Sequence, residues 1–428
     1  MENSNLPLED KSSHLYPLKW ANFRNKKKDF KLYRSYLGKK IVILNHTNIA
    51  FIRNPDGTIN YTKQINFDDL KLDLKDHGFK ITDRDFNSIM NSDFIEKIDS
   101  LKIFFNQIDN NPWDGVDRIN DLVTAAKLAG DYNQNFVLIK KWLCTSYAFA
   151  LRGIDPKTPK KVYSRVVFIL YSEQRGFGKT EFFRKLGLIG AIEKATGISG
   201  TEIYAETAGE LPKDDRNFDI DKNTKMIYLL DDINQLLIKG EGKLRSIISQ
   251  EDFSKRALYK DTNQNLKRRA TFAGTTNYNE LLRNENENRY MLFTIEERMD
   301  FNLLNSINIM QLWSQVRDEV IQKGEGSMIG INDLELVMNL SQEYVYHSPL
   351  EETINNLFIY DHEGRMTFSE IKKHLRDFGI NEYNDNKIGG YLKTLSPKDQ
   401  DIKIKDSKGI RYYKLDWRER EDTRDLPF

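Results

Sequence analysis

The residues with the clearest potential for chemistry lie in the segment YSEQRGFGKT, residues 171–180. Its last three residues match the end of the phosphate-binding pattern G-x-x-x-x-G-K-[ST]. In that pattern, backbone N–H groups surround the phosphates, the lysine reaches the β- and γ-phosphates, and the hydroxyl binds Mg²⁺. Glu173 occupies the position of the first glycine, so the match is incomplete. The segment predicts an ATP and Mg²⁺ site, and the alternative is a glycine-rich turn before a lysine.

The predicted phosphate contacts follow directly from this pattern. A carboxylate inside the loop would repel a triphosphate, so Glu173 is expected to point outward or to pair with a base such as Arg175. The residues expected to surround the nucleotide phosphates are Gln174, Arg175, Gly176, Phe177, Gly178, Lys179, Thr180 and Glu181.

A phosphate loop needs a buried strand before it and a helix after it, because the helix amino terminus supplies the converging N–H groups. The run RVVFILY, residues 165–171, is apolar and β-branched and has the length of a strand. After the loop, Phe182, Phe183, Leu186 and Leu188 have helical spacing. Both flanks therefore favour the nucleotide interpretation over a chance match.

Two further groups of polar residues follow apolar runs. Asp231 and Asp232 come directly after Met226–Leu230, where one carboxylate could hold Mg²⁺ and the other could orient or deprotonate water. The run RRATFAGTTN ends in Asn277, whose amide could hydrogen-bond the γ-phosphate or the attacking water. The alternatives are a solvated strand end for the acids and a turn or cap for the asparagine. Because all three groups follow strand-like runs in order, they favour a nucleoside triphosphatase.

A basic segment precedes the strand that ends at Asn277. The segment contains six basic residues and one acidic residue. The turn-prone sequence DTNQN divides it into two strand-like halves, which predicts a β-hairpin that binds DNA phosphates. An aromatic residue in the hairpin could stack on a base, whereas the alternative is a solvated basic loop. The residues expected to contact DNA here are Lys255, Arg256, Tyr259, Lys260, Lys267 and Arg268.

The carboxyl-terminal residues have the pattern of a winged helix. Thr367 and Glu370 have capping-box spacing at the start of one helix, and DNKIGGYLKTL predicts a second helix. IKIKDSKGIRYYKLDW predicts two strands around a turn at 407–409. Winged helices contact DNA through the second helix and the wing, although many bind protein instead. The wing residues expected to contact DNA are Lys403, Lys405, Lys408 and Arg411.

The composition of the 428 residues is that of a globular protein, with 30% charged and 39% hydrophobic residues. A net charge of +1 does not by itself indicate a polyanionic partner, so the DNA argument depends on local clusters. The single cysteine, Cys144, excludes an internal disulfide and is expected in the core. Neither a membrane-spanning run nor a secretory segment is visible, so we expect a cytoplasmic protein with no membrane partner.

The order of these motifs resembles the virulence-associated protein E family, AAA+ ATPases related to superfamily 3 helicases of phages, plasmids and integrated mobile elements. The segments that carry the resemblance, over roughly residues 100–300, are NPWDGVDRI, LYSEQRGFGKTEFFRKLG, LLDDINQL, KRALYKDTNQNLKRRATFAGTTN and LLRNENENRYMLF. The chain departs from the family at Glu173, at the paired aspartates, and at Arg289-Tyr290-Met291, where Arg-Arg-Phe is common. A primase signature is not visible, so the chain resembles the helicase portion alone.

The resemblance implies specific roles. Asn277 corresponds to sensor 1 of AAA+ ATPases, and the basic hairpin would line a central pore that grips one DNA strand. Arg289 would be an arginine finger that completes the site of a neighbouring subunit, which requires a ring of identical chains, a hexamer. The implied partners are single-stranded or forked DNA and replication proteins such as a primase.

The predicted fold class is α/β, with an AAA+ P-loop ATPase core, a helical collar, a small mixed amino-terminal domain and a winged-helix domain. The predicted bounds are 1–100 for the amino-terminal domain, 101–160 for the collar, 161–345 for the core and 350–428 for the winged helix. The expected function is an ATP-dependent DNA helicase or translocase in mobile-element or phage replication. The alternative is a DNA-binding initiator or regulator whose ATP site controls assembly without unwinding. A small-molecule P-loop kinase is disfavoured, because it would leave the hairpin and the tail without a role.

Overall fold

The structure is a computed structural model in which the chain forms two compact units, Met1–Glu343 and Tyr344–Phe428. The residues that the structure describes are 41–44, 49–76, 82–92, 94–152, 162, 164–187, 203–208, 215–256, 263–279, 281–282, 288–346, 349–380, 383–395, 402–405 and 410–417. Within these ranges the protein is a mixed α/β structure with a parallel sheet covered by helices.

The first unit begins with a small mixed sheet and two helices. The elements in chain order are β1 (Ile41–Leu44), β2 (Ile49–Arg53), β3 (Ile59–Asn66), α1 (Phe67–Asp76), α2 (Asp83–Met90) and β4 (Glu96–Ile98). The strands lie in the order β3-β2-β1-β4, and a tight turn with Gly57 at φ 89° joins β2 to β3.

Three helices follow the small sheet: α3 (Ser100–Asp109), α4 (Arg118–Ala126) and α5 (Tyr132–Ala150). Helices α4 and α5 lie in the segment predicted as a helical collar, and Cys144 of α5 is buried as expected. Burial raises the pKa of the Cys144 thiol to about 12, because the thiolate would be poorly solvated. Among the described residues, no helix is both long enough and apolar enough to cross a membrane.

The parallel sheet and its connections occupy the next part of the first unit. The elements in chain order are β5 (Val167–Tyr171), α6 (Lys179–Gly187), β6 (Tyr204–Ala208), α7 (Asp215–Thr224), β7 (Ile227–Asp231), α8 (Asn234–Ser249), β8 (Asp252–Arg256), β9 (Asn263–Lys267), β10 (Thr271–Thr276) and β11 (Tyr290–Thr294). The predicted strands after Arg165, Met226 and Arg269 are thereby confirmed as β5, β7 and β10.

The order of the parallel strands decides which loops become neighbours. The sheet runs β11-β5-β10-β7-β6, and all four neighbouring pairs are parallel. Strand β10 therefore lies between β5 and β7, although it follows both in the chain. Since parallel strands end at one edge of a sheet, the loop after β5, the paired acids at the end of β7 and the polar end of β10 meet there.

Three further helices complete the first unit: α9 (Phe301–Ser306), α10 (Ile309–Lys323) and α11 (Leu334–Ser341). Helices and sheet share one apolar core, in which Phe168 of β5 makes edge contacts at 5.2 Å with the rings of Trp142 and Phe183. Aromatic pairs of this geometry stabilise a core beyond the area that they bury. The core thus joins α5, β5 and α6 and holds the phosphate loop between rigid elements.

The second unit has its own core around Leu350, Ile371 and Leu415. Its elements are α12 (Pro349–Leu357), β12 (Phe358–Tyr360), β13 (Met366–Thr367), α13 (Phe368–Asp377), α14 (Asp385–Leu392), β14 (Lys403–Lys405), β15 (Arg411–Tyr413) and β16 (Leu415–Trp417). The capping box of Thr367 and Glu370 is confirmed at the start of α13, and α14 is the predicted second helix. The predicted second strand is divided: β15 pairs with β13 and β14, whereas β16 pairs with β12.

Candidate nucleotide site and nucleic-acid interface

The phosphate loop, residues 172–178, connects β5 to the amino terminus of α6. Gly176 and Gly178 have φ values of 79° and 105°, in the left-handed region that favours glycine. A Cβ at position 178 would lie 2.9 Å from the Met299 sulfur, so no other residue could be accommodated there without a shift. The side chain of Glu173 is exposed, as are those of Gln174 and Arg175. The loop therefore keeps two glycines in left-handed conformations, of which Gly178 is also closely packed, although the first glycine of the pattern is missing.

Lys179 begins α6, and only 8% of it is exposed. Its Nζ donates hydrogen bonds to the Ser172 hydroxyl at 2.6 Å and, more weakly, to the Ser172 and Gln174 carbonyl oxygens at 3.3 and 3.4 Å. Burial lowers the pKa of Lys179, and the nearby Asp231 and Asp232 carboxylates oppose that shift. Since all three acceptors are neutral, phosphate oxygens would be stronger partners for this ammonium group.

Thr180 and Asp231 bring two oxygen ligands together. The Thr180 hydroxyl donates to Asp231 Oδ1 at 2.9 Å, and the Thr275 hydroxyl donates to the same oxygen at 2.5 Å. Mg²⁺ in nucleotide sites is held by one or two carboxylates together with phosphates and water. A hydroxyl and a carboxylate at hydrogen-bond distance beside the phosphate loop therefore fit Mg²⁺.

Asp232 differs from its neighbour in both exposure and backbone conformation. It is exposed, and its φ of 57° is uncommon for a residue other than glycine. Its N–H donates to the Thr275 hydroxyl at 3.0 Å. The Asp232 carboxylate is therefore accessible to water, whereas the Asp231 carboxylate is bound by two hydroxyls.

Asn277 joins the end of β10 to the phosphate loop. Its side-chain amide donates to the Ser172 carbonyl at 2.8 Å and, more weakly, to the Glu173 carbonyl at 3.4 Å. The structure thus brings four predicted site residues together at one sheet edge, namely Lys179, Thr180, Asp231 and Asn277.

Glu181 and Phe177 lie at this edge in supporting positions. Glu181 is exposed and pairs with Arg184 of α6 at 2.9 Å, and Arg184 also binds Glu206 of β6 at 2.6 Å. The Arg184 guanidinium lowers the pKa of the Glu206 carboxyl. Phe177 packs against the core, and its carbonyl accepts from the Met299 N–H at 3.2 Å. Phe177 therefore anchors the loop to the core, whereas Glu181 pairs with a residue of its own helix.

The family model of the virulence-associated protein E-like domain matches residues 108–344 of this chain. That span is more than half of the 428 residues and contains the whole parallel sheet. The chain belongs to this family. Among curated proteins, no match was found for this virulence-associated protein E-like chain.

Solved structures similar to this virulence-associated protein E-like chain include two apo structures of the NrS-1 C terminal region. One, of residues 305–718, is 12% identical with a TM-score of 0.46, over 90% of this chain and 98% of that chain. The other, an A form, is 13% identical with a TM-score of 0.42, over 85% of this chain and 84% of that chain.

Arg289 of the virulence-associated protein E-like chain lies at the opposite edge of the sheet from the phosphate loop. It directly precedes β11, and its carbonyl accepts from the N–H of Val167, the first residue of β5. The loop follows the last residue of β5, Tyr171. At about 3.3 Å per residue, the length of β5 separates the two positions by roughly 16 Å. Arg289 is therefore not part of its own chain's nucleotide site.

The predicted basic hairpin is present as β8 and β9, whose five residue pairs run from Asp252↔Lys267 to Arg256↔Asn263. The predicted position of its turn, DTNQN, is wrong, because residues 263–265 pair with β8 as part of β9. Lys255 and Arg256 lie on β8, and Lys267 lies on β9 with an exposed side chain. Tyr259 and Lys260, which were expected to contact DNA, lie outside the described residues.

The interpretation of Arg268 as a DNA contact is wrong in this structure. Its side chain is 0% exposed and is stacked between the rings of Phe149 and Phe272. The guanidinium donates to the carbonyls of Gln250, Ala270, Ser164 and Ile248 and to the Ser164 hydroxyl, at 2.8 to 3.2 Å. Burial lowers its pKa to about 9, so the group keeps its charge at neutral pH. Arg268 holds the base of the hairpin against β10.

We expect Arg268→Ala to lower the free energy of unfolding of the first unit by about 3 to 5 kcal/mol, because it leaves a cavity and several unsatisfied buried carbonyls. Lys267→Ala, one residue away and exposed, should change it by less than about 0.5 kcal/mol. Urea denaturation followed by tryptophan fluorescence measures both. Equal stability of the two variants would contradict the structural role of Arg268.

The residues predicted to form a wing lie on the hairpin of β14 and β15, which pair from Lys403↔Tyr413 to Lys405↔Arg411. Lys403, Lys405 and Arg411 are exposed as predicted, and Lys408 lies outside the described residues. Three positive side chains on one short hairpin can contact phosphates without reading bases.

Sequence reasoning missed the roles of two residues at the nucleotide site. Ser172 accepts from Lys179 and, through its carbonyl, from Asn277, while Thr275 bridges the paired acids. Ser172 directly follows one predicted strand and Thr275 lies near the end of another. Their positions at strand ends therefore indicated that both could lie at the site. Their partners come from other strands, however, and only the strand order identifies those partners.

Proposed function

We propose that the chain is an ATP-dependent DNA helicase or translocase that acts as a ring in the replication of a mobile element or phage. In this proposal the first unit contains an AAA+ ATPase core and the second unit is a winged-helix domain. The observation that carries the proposal is the meeting of Lys179, Thr180, Asp231 and Asn277 at one sheet edge. Ser172 accepts hydrogen bonds from Lys179 and Asn277, and Thr180 donates directly to Asp231. Family membership supports it.

The proposed reaction is ATP hydrolysis. Water attacks the γ-phosphorus, the bond to the bridging oxygen of ADP breaks, and Asp232 accepts the proton of the water. Lys179 binds the β- and γ-phosphates, and Asn277 orients the γ-phosphate or the water. Thr180 and Asp231 would hold Mg²⁺, which neutralises charge on the phosphates when it is bound.

The proposed DNA contacts are the hairpin of β8 and β9 and the wing of the second unit. The root of the hairpin is fixed by Arg268, whose acceptors include the carboxyl end of α8 and the segment before β5. Both elements lead to the nucleotide site, since β5 precedes the phosphate loop and α8 follows the paired acids. This connection is a route by which DNA held by the hairpin could influence ATP hydrolysis.

The decisive experiment is strand displacement on forked DNA by the purified protein. Displacement should occur with ATP and Mg²⁺ and should stop with a non-hydrolysable ATP analogue. Hydrolysis without displacement would instead favour the initiator or regulator, in which ATP controls assembly on DNA. Failure to bind ATP would contradict both functions.

We expect Lys267→Ala to weaken binding of single-stranded DNA at every sequence and to lower the slope of log affinity against log salt by about 0.7. The reason is that one fewer phosphate contact releases fewer counterions. Fluorescence anisotropy of a labelled oligonucleotide at several salt concentrations measures the slope. Lys63→Ala, which removes an exposed lysine of β3, is the matched control and should keep the wild-type slope. An unchanged slope for Lys267→Ala would exclude this residue from the interface.

A further inference from the structure

The hydroxyl of Thr275 lies between the two acids of the candidate nucleotide site. Thr275 is buried, with 3% exposure, near the end of β10. Its hydroxyl donates to Asp231 Oδ1 at 2.5 Å and accepts from the Asp232 N–H at 3.0 Å. The Thr275 hydroxyl therefore donates its only proton to the Asp231 carboxylate and accepts a hydrogen bond from the backbone N–H of Asp232.

The main chain of Thr275 adds a third contact to the same segment. Its carbonyl accepts from the N–H of Ile233 at 2.9 Å, so Thr275 binds two consecutive N–H groups after β7. Between them lies Asp232, whose φ of 57° costs conformational energy in a residue with a Cβ. Such a conformation persists only where surrounding contacts hold it, and these two bonds are such contacts.

The Asp231 carboxylate is held from two sides. Thr275 comes from β10 and Thr180 from α6, and both hydroxyls donate to Oδ1. Thr180 is itself one of the two oxygen ligands that fit Mg²⁺. Among the hydrogen bonds of the described residues, the one from Thr275 is therefore the contact that orients the Asp231 carboxylate from outside the metal shell. Partners that orient metal ligands in this way are typically worth 10- to 100-fold in metal affinity or activity.

We propose that Thr275 is a positioning residue for Mg²⁺ and for the second acid: its hydroxyl orients the Asp231 carboxylate toward the ion and holds Asp232 in its left-handed conformation. This proposal rests on the proposed ATPase function. It assigns Thr275 no contact with nucleotide or metal, since its effect passes through Asp231 and Asp232.

The test replaces Thr275 by valine, which keeps the volume and removes the hydroxyl. Fluorescence anisotropy of a labelled non-hydrolysable ATP analogue, titrated with Mg²⁺, reports the half-saturating Mg²⁺ concentration without any turnover. We expect Thr275→Val to raise that concentration about 10- to 100-fold, and Thr275→Ser to restore most of the loss. Thr276→Val is the matched control, because Thr276 is adjacent and equally buried and its hydroxyl accepts from the Tyr278 N–H. The half-saturating Mg²⁺ concentration of this variant should stay at the wild-type value.

Three results would overturn the assignment of Thr275 and leave the proposed function standing. The first is a folded Thr275→Val protein with wild-type Mg²⁺ dependence. The second is a loss that Thr275→Ser does not restore, because the hydroxyl would then not be the cause. If the valine variant does not fold, Thr275→Ala and Thr275→Ser are compared instead, and equal Mg²⁺ dependence of these two overturns it. A wild-type protein that binds no ATP analogue at any Mg²⁺ concentration refutes the proposed function itself and the Thr275 assignment with it.

Discussion

Arg289→Ala should slow ATP hydrolysis by about 10³- to 10⁵-fold, the range over which an arginine supplied by a neighbouring subunit accelerates phosphoryl transfer. The arginine stabilises the charge that develops on the departing phosphoryl group. The position of Arg289 at the amino end of β11 places it across the sheet from its own phosphate loop. An effect of this size therefore requires the nucleotide site of another chain.

Mixing two inactive variants tests whether Arg289 acts directly in the nucleotide site of a neighbouring chain or affects hydrolysis only indirectly. Lys179→Ala removes the phosphate-binding lysine and leaves Arg289 intact, so a ring that contains both variants has some interfaces with an intact loop facing an intact arginine. We expect partial recovery of ATPase activity on mixing, measured as phosphate release. Arg84→Ala, which removes an exposed arginine of α2, should be fully active alone. Co-assembly without recovery would contradict the arginine-finger assignment and leave Arg289 with a structural role.

The paired acids should respond differently to the loss of charge. Asp232→Asn should bind Mg·ATP and slow hydrolysis by about 10²- to 10⁴-fold, the typical contribution of a general base. Asp231→Asn should instead weaken Mg²⁺-dependent ATP binding, because its Oδ1 is the acceptor for the Thr180 hydroxyl. The exposure of the two side chains agrees with this assignment, because Asp232 is exposed to water and Asp231 is only partly exposed.

Two measurements separate these roles. Equilibrium binding of a labelled ATP analogue at several Mg²⁺ concentrations reports the metal-holding acid, and single-turnover hydrolysis reports the acid that activates water. Glu173→Gln is a suitable control, because this exposed loop carboxylate has no assigned role and its loss should leave both measurements nearly unchanged. Normal hydrolysis by Asp232→Asn, together with Mg·ATP binding without cleavage by Asp231→Asn, would exchange the two roles.

Local patterns were sufficient to predict the elements that flank the nucleotide site. The apolar run before Ser172 forms β5, and the helical spacing of Phe182, Phe183 and Leu186 corresponds to α6. These predictions succeed because strand and helix periodicity are properties of consecutive residues. The hairpin before β10 was predictable for the same reason, since both of its strands and its turn are close in the chain.

Tertiary structure decided which of these residues meet and which do not. Arg268 belongs to a basic run in the sequence, yet it is buried between Phe149 and Phe272, because carbonyls from three separate segments satisfy its guanidinium. The role of Thr275 and the distance of Arg289 from its own loop depend on the insertion of β10 between β5 and β7 and on the pairing of β11 with β5. Strand order is set by packing between residues that are far apart in the chain. Periodicity and motif spacing describe residues that are close in the chain, so they do not predict strand order.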